Sequence, residues 1–247
     1  MNKIIKANKE LYKKEAEYYD RIHSEIFNRK EQRRLFTSLF EYALVSKRNK
    51  ALDVGAGTGN VTSHLIDLGY KVTAVEPSKE LAKILSIKGI KVINKDIDSI
   101  KFKEKFDLIT IYSVLHHLPN PYKTLDKLCR LLKKNGIIYI DHECSPYFWY
   151  NKDRWWYKLY QFINGCLNVF YIRVKYGIKR KDIKFDYSKA DYHTKENDHI
   201  EADKVWNILK KHCRYVNLKQ YRLEMAHLWN PLKYFIGFDT IMFVGRK

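Results

Sequence analysis

Asp53 stands two residues ahead of three alternating glycines, Gly55, Gly57 and Gly59, in the run ALDVGAGTGN. Glycines at alternate positions let a backbone turn tightly and approach a ligand with no Cβ in between. The spacing is GxGxG rather than GxGxxG, and a carboxylate sits at its entrance. A loop that holds a pyrophosphate at a helix N-terminus would be repelled by that charge, whereas a ligand bearing an ammonium group would be attracted. Glu76 follows seventeen residues past Gly59, at the end of KVTAVEPS, where an acidic side chain can accept from both hydroxyls of a ribose. Asp96, in KVINKDI, is placed to accept from the exocyclic amine of an adenine.

These side chains need elements to hold them. ALDV is an apolar strand, and residues 60–68 carry apolar positions at helical spacing. The glycine loop therefore joins a strand to a helix, at the carboxyl edge of a parallel sheet where nucleotide-like ligands bind. Residues 71–78 read as a buried second strand, 91–97 as a third, and 106–118 as a fourth that breaks into His116 and His117. Strand and helix alternate to about residue 145, the pattern of a parallel sheet with helices on both faces. The chain closes with a helix over 202–212 and strands over 215–223 and 239–246. Ahead of the core, residues 8–48 read as two helices. The second opens with Asn28 as N-cap and Glu31 as capping-box partner, and carries a stripe of Leu35, Phe36, Leu39, Phe40 and Ala43.

The ordered series DVGAGTG, VEPS, KDI, FDLITIYSVLHHL and LKKNGIIYI resembles the class I S-adenosylmethionine-dependent methyltransferases, most of all their small-molecule branch, over roughly residues 45–145. The resemblance implies an α/β, Rossmann-like fold: a seven-stranded, mostly parallel sheet with helices on both faces and an antiparallel last strand between strands five and six. It implies S-adenosyl-L-methionine as cofactor and S-adenosylhomocysteine as product. On that footing Asp53, Gly55, Ala56, Gly57, Thr58 and Gly59 cradle the amino-acid end and ribose. Glu76, followed by Pro77, takes the ribose hydroxyls, and Asp96 takes the adenine amine with Ile97 against the ring. Ser113 and Val114 supply contacts at the sheet's carboxyl edge. An aromatic-rich N-terminal helix folds over the cofactor in such enzymes, which makes Tyr18 or Tyr19 a lid residue; the plainer alternative is an aromatic packed between helices. The chain then reads as a single domain: helical lid 1–48, cofactor-binding core 49–145, aromatic cap insertion 146–200 and closing elements 201–247.

Methyl transfer from a sulfonium is an in-line displacement with an activated leaving group, so positioning and exclusion of water supply most of the rate. A hydroxyl acceptor would also need a base with a pKa near neutral. Asp141-His142-Glu143, after strand five, is the preferred base site, with His142 or Glu143 in the role against the alternative of a hydrogen-bonded loop. His116 and His117 belong to VLHHLPN, a run common in the family whatever the substrate. His116 is expected to line the cofactor pocket and His117 to pack or cap, with catalysis by either a lesser reading. His193 and Asp198-His199-Ile200-Glu201 precede the closing helix. Capping-box spacing accounts for Asp198 and Glu201 and leaves His199 facing solvent or the site mouth as a further catalytic candidate. His142, Glu143, His193 and His199 could gather a cation, but no spacing requires one, and no metal is expected. Asn120-Pro121-Tyr122 is similar to the Asn-Pro-Pro-aromatic motif of amino-methylating enzymes. It lacks the second proline and follows HHLP, so it reads as a helix start with Pro in first position.

Substrate choice is expected in the insertion. There Trp156, Leu159, Tyr160, Ile163, Cys166, Leu167, Phe170 and Val174 fall on one helical face, against Lys158, Gln161, Asn164, Asn168 and Lys175. The ordinary reading is a helix packed on the sheet edge. The sharper ones are a wall for an apolar substrate, or an interfacial helix beside the basic run 173–181. The net charge of +19, from 47 basic and 28 acidic residues, admits RNA or an anionic membrane. Lysine far outnumbers arginine, however, whereas phosphate and base recognition favour arginine. Composition bias is the leading account, nucleic acid is not favoured as a partner, and peripheral membrane contact stands as an alternative. Four cysteines, Cys129, Cys144, Cys166 and Cys213, lack paired spacing, so neither a disulfide framework nor a zinc site is expected. The N-terminal run lacks a signal-peptide core, and no stretch has bilayer length, so the cytoplasm is the expected location. The sequence thus points to O-methylation of a small molecule of sugar, quinone or natural-product type. An RNA-directed methyltransferase, or one acting on a lipid-linked acceptor at a membrane surface, are the alternatives. It sets neither the acceptor atom nor the oligomeric state.

Overall fold

A computed structural model describes residues 6, 9–10, 12–13, 16–46, 49–177, 200–222 and 237–247. Ahead of the sheet lie α1 (Tyr19–Ile22), α2 (Ser24–Phe27) and α3 (Arg29–Val45), so the first of the two expected helices is broken at His23 into short turns. Asn28 caps α3 as expected, its side-chain oxygen accepting from the N–H groups of Lys30 and Glu31 at 3.0 Å each. Glu31 departs from the capping-box expectation. Its carboxylate turns into the core, where it accepts from Arg34 and from the Tyr112 hydroxyl.

Strands β1 (Lys50–Val54), β2 (Lys71–Val75), β3 (Val92–Ile93), β4 (Phe106–Tyr112), β5 (Leu132–Cys144), β6 (Tyr215–Tyr221) and β7 (Thr240–Arg246) form one seven-stranded sheet in the order β3-β2-β1-β4-β5-β7-β6. Neighbours from β3 to β5 pair parallel, while β7 runs antiparallel to both β5 and β6. The connecting helices are α4 (Asn60–Asp67), α5 (Lys79–Ile87) and α6 (Pro121–Arg130), and the insertion contributes α7 (Pro146–Asn151) and α8 (Trp155–Tyr176) before α9 (Ala202–His212). Parallel strands covered on both faces read as continuous apolar runs, and every residue of β4 is buried. Successive residues serve opposite faces. Ile109 and Ile138 pack with Leu125 and Leu128 of α6 and Val205 and Leu209 of α9, whereas Leu108 and Tyr139 pack with Leu35 and Leu39 of α3 and Leu65 of α4. Each such leucine contributes about 1.5–3 kcal/mol relative to exposure.

Several elements differ from the sequence reading. The third strand is only two residues long, and Asp96 lies past it as the cap of a 3-10 turn, Ile97–Ser99. Strand β5 runs on to Cys144, so Asp141, His142 and Glu143 belong to the strand and not to a loop after it. A bulge there shifts the register against β7 between Ile140 and Glu143, with His142 at φ +62°. Helix α9 follows Glu201, whose backbone N–H donates to the Tyr122 hydroxyl and whose side chain makes no cap; Asp198 lies outside the described residues. In α8 the inward side is rotated from the expected stripe. Tyr157, Tyr160 and Asn164 are buried while Leu159, Phe170 and Val174 are exposed. The reason is the aromatic cluster beneath the helix, in which Tyr157 meets Phe148 and Tyr160 at centroid distances of 5.9 Å each. With aromatics on every side of the helix, apolar spacing could not choose the face. Cys129 and Cys213, far apart in sequence, share a hydrogen bond that draws the Cys213 thiol below its usual range. No helix among the described residues is long and apolar enough to cross a membrane.

Candidate active site

Chain order reverses between β1 and β4, because β1 continues towards β2 on one side and β4 towards β5 on the other. Loops leaving the carboxyl ends of such a strand pair diverge and open a crevice. The glycine loop leaves β1 there and residues 113–118 leave β4. The loops can close on each other because Gly55, at φ +68°, has no Cβ; one would lie 2.4 Å from Val114 Cγ2. At Gly57 it is the left-handed backbone, φ +56°, that favours glycine, since a Cβ there would sit 3.9 Å from the Tyr19 ring in ordinary contact. Gly59 has another task. It caps α4 in a left-handed conformation against Leu85 and does not line the crevice.

The crevice is a cavity of about 110 Å³, open to solvent at its mouth. Of the residues expected at the cofactor, Asp53, Gly55, Ala56, Gly57, Thr58, Glu76, Pro77, Asp96, Ile97, Ser113, Val114 and Tyr19 line it. Glu76 is buried at the tip of β2, its two oxygens accepting from Gly57 N–H at 2.9 Å and Ser78 N–H at 2.8 Å. Burial pushes its carboxyl up to about 7, with those two bonds pulling down and the charge of Asp53 adding to the rise. Asp53 is buried and oriented by two hydroxyls, Thr62 at 2.5 Å and Thr110 at 2.8 Å. Burial raises it to about 6 against those bonds. Asp96 accepts from the N–H of Asp98 at 3.2 Å, which fixes it at the crevice edge. Asn60 also lines the crevice, and its buried Nδ2 has no hydrogen-bond partner among the described residues.

The crevice has a roof that the sequence named only in part. Tyr12 lies between Tyr19 and His117, at ring distances of 6.0 and 6.1 Å, and its hydroxyl meets His117 Nε2 at 3.2 Å. Asp20 latches the roof to the glycine loop by accepting from the Thr58 hydroxyl at 2.6 Å. Phe27 and Ile26 extend the apolar wall. Nothing local in the sequence marks Tyr12 or Asp20, since their partners are distant in the chain.

The expected bases sit elsewhere than foreseen. The roles of the two adjacent histidines are exchanged: His117 lines the crevice, while His116 turns away, its Nδ1 against Glu143 Oε2 at 2.8 Å. The 3-10 turn Leu115–His117 makes that exchange by carrying His117 back over the crevice. Glu143 is buried outside the crevice, and its other oxygen accepts from Val114 N–H at 3.0 Å and Leu115 N–H at 2.9 Å. It holds the turn that positions Val114. His142 stacks on Tyr112 at 5.1 Å, one ring removed from the crevice, with a buried Nε2 lacking a partner among the described residues. His193 and His199 lie outside the described residues.

Sheet order, switch point and lining define a class I, Rossmann-like methyltransferase fold. Residues 52–140 match the family described as the methyltransferase domain. An uncharacterised methyltransferase of Alkaliphilus oremlandii (strain OhILAs) is 30% identical over 125 residues, 49% of this chain and 57% of the relative. The human thiol S-methyltransferase TMT1A is 27% identical over 200 residues, 73% of this chain and 75% of that one. The chain spans about half the length of the first curated relatives it matches. Among solved structures, the N-methyltransferase NodS from Bradyrhizobium japonicum WM9, in complex with S-adenosyl-L-homocysteine, superposes with a TM-score of 0.53 at 16% identity, over 89% of this chain and 88% of that one. A methyltransferase from Thermotoga maritima gives 0.56 at 14% identity, over 96% and 99%. Such distant likeness speaks to the fold.

Proposed function

We propose that this protein transfers a methyl group from S-adenosylmethionine to a small-molecule acceptor, releasing S-adenosylhomocysteine. The observation that carries the reading is the carboxylate of Glu76, held by two backbone N–H groups at the tip of β2 beside the glycine loop. The residues present fit the group. The missing Cβ of Gly55 lets Val114 close against the glycine loop, and at Gly57 nothing but the Tyr19 ring, 3.9 Å from a Cβ position, bounds the crevice side; the remaining lone pairs of Glu76 suit two ribose hydroxyls, and the orphaned Nδ2 of Asn60 offers a donor. Asp53 supplies a negative charge for an ammonium group, and Asp96 and Ile97 suit the adenine.

When bound, this cofactor supplies an electrophilic methyl group on a positively charged sulfur. The rest falls to the chain: Tyr12, Tyr19 and Phe27 cover the crevice and exclude water, and the fixed loops set the line of approach. The hydroxyl acceptor foreseen in the sequence needs a proton acceptor. We assign that role to His117, which lines the crevice with its Nε2 in reach of Tyr12, where the tautomer decides which of the pair donates. Relatives named as O-, N- and S-methyltransferases span the acceptor atoms.

The test is incubation of the protein with methyl-labelled S-adenosylmethionine and host extract, followed by separation of small molecules, lipid, RNA and protein. Label is expected in the small-molecule fraction as a methyl ether. His117→Gln is expected to lower its formation about a hundredfold with cofactor affinity unchanged. Label confined to RNA, or full activity in the variant, would overturn the acceptor class or the base respectively.

A further inference from the structure

Among the described residues, none of α8 lines the crevice. The inward side of this helix holds Tyr157, Tyr160 and Asn164, but its outward side carries Trp155, Leu159, Phe162, Phe170 and Val174 at helical intervals on one face. Trp155, Phe162 and Phe170 are 76, 69 and 66% exposed. An apolar stripe of this length on a soluble surface marks a contact with something else.

Charge says what that something is. Arg154 and Lys158 flank the start of the stripe, Arg173 and Lys175 flank its end, and no Asp or Glu occurs within Trp155–Tyr176. The terminal cations are paired with tyrosines: Arg154 lies over the Tyr150 ring at 4.7 Å, and Lys175 over Tyr171 and Tyr176 at 5.1 Å each. Aromatic rings and long cationic side chains at the ends of an apolar stretch are the side chains that settle at a lipid–water boundary. The helix is too polar to cross a bilayer, yet its 22 residues, about 33 Å long, can lie in the plane of one. A second copy of the chain is a poorer occupant. An antiparallel two-fold contact would bring Lys158 of one helix against Arg173 of the other, and the acid nearest the stripe in sequence, Asp153, already pairs with Lys158 at 3.3 Å.

We propose that α8 docks this protein on an anionic lipid surface, its Trp155–Val174 stripe at the acyl boundary and its cations on the headgroups. Arg21 of α1 lies over the Tyr176 ring at 5.9 Å, so the docked helix stands beside the segment that carries Tyr19 and roofs the crevice.

Flotation of the purified full chain with vesicles tests this, using phosphatidylglycerol mixed with phosphatidylcholine against phosphatidylcholine alone. At low salt the protein is expected to float with the anionic vesicles, to be released as salt rises, and to stay behind with the neutral ones. Lys158→Ala and Arg173→Ala should each weaken binding about fivefold. Phe162→Glu with Phe170→Glu should abolish it while leaving the melting temperature unchanged, since both rings are exposed. The proposal falls if the wild-type protein does not float at low salt, or if the double phenylalanine variant still does. It falls equally if the stripe holds a dimer in sedimentation that the double variant dissolves, with no vesicle binding.

Discussion

Glu76 and Asp53 are neighbouring buried carboxyls, and the charge of Asp53 adds to the cost of ionising Glu76. Glu76 is pushed up to about 7 and Asp53 to about 6, so both titrate near neutrality. In the unfolded chain Glu76 titrates at about its ordinary 4.5. Between that value and about 7 the ligand-free fold binds the extra proton, so the contribution of Glu76 to stability falls as pH rises through the window. Ligand binding has the opposite sign, because ribose hydroxyls and an ammonium group favour the ionised carboxylates. Affinity for S-adenosylhomocysteine should therefore weaken as pH drops below 7, approaching tenfold per pH unit once Glu76 is protonated. Glu76→Gln should flatten most of that dependence, and Glu76→Ala should weaken binding strongly at every pH without unfolding the chain. Calorimetry across pH reads both, and a wild-type affinity that is level from pH 5 to 8 would remove Glu76 from the site.

At the scale of elements, α3 is fastened to the sheet by charge as well as by its leucines. Arg34 pairs with Glu31 of its own helix and with Asp141 of β5 at 2.8 Å, donates to the Tyr221 hydroxyl of β6 at 2.9 Å, and lies over that tyrosine's ring at 4.1 Å. The hydroxyls of Tyr139 and Tyr221 complete the shell of Asp141, and that of Tyr112 reaches Glu31. Burying these charges is costly, and they persist because each is met by several partners. Arg34→Met keeps the packing volume but leaves two buried carboxylates uncompensated, so it should destabilise the fold by about 3–5 kcal/mol. Urea denaturation measures this; a change below about 1 kcal/mol would mean that the network contributes little. This cluster also marks the limit of what the sequence could reveal. The glycine loop, Glu76 and Asp96 were legible because each belongs to a contiguous strand–turn–helix unit whose spacing carries the chemistry. Glu31 was misread as a cap, and Asp141 and Glu143 as loop residues, because their partners come from other elements. Glu143 reaches back to the Val114 and Leu115 N–H groups only because of the bulge at His142. No local pattern encodes a bulge of that kind.

At the scale of the whole molecule, the sheet and the crevice roof are joined yet distinct. The buried clusters begin at Ile26 and run through α3 into the sheet, whereas Tyr12, Tyr19 and Asp20 precede them and touch the crevice by a few directed contacts. Cooperative stability should therefore reside after residue 22, and closure over the ligand before it. A chain lacking residues 1–21 should unfold within about 1 kcal/mol of the full-length protein, as expected when surface contacts alone are lost. Its kcat/KM should fall at least about a hundredfold, because a misplacement near 1 Å at the reacting atoms suffices for such a loss. Cofactor affinity should fall far less, since Glu76, Asp53, Asp96 and the glycine loop all remain. Reading stability, affinity and turnover on one truncated protein separates a roof from a structural helix. Equal losses in all three would show that the N-terminal segment belongs to the folding core, and full turnover would show that the crevice closes without it.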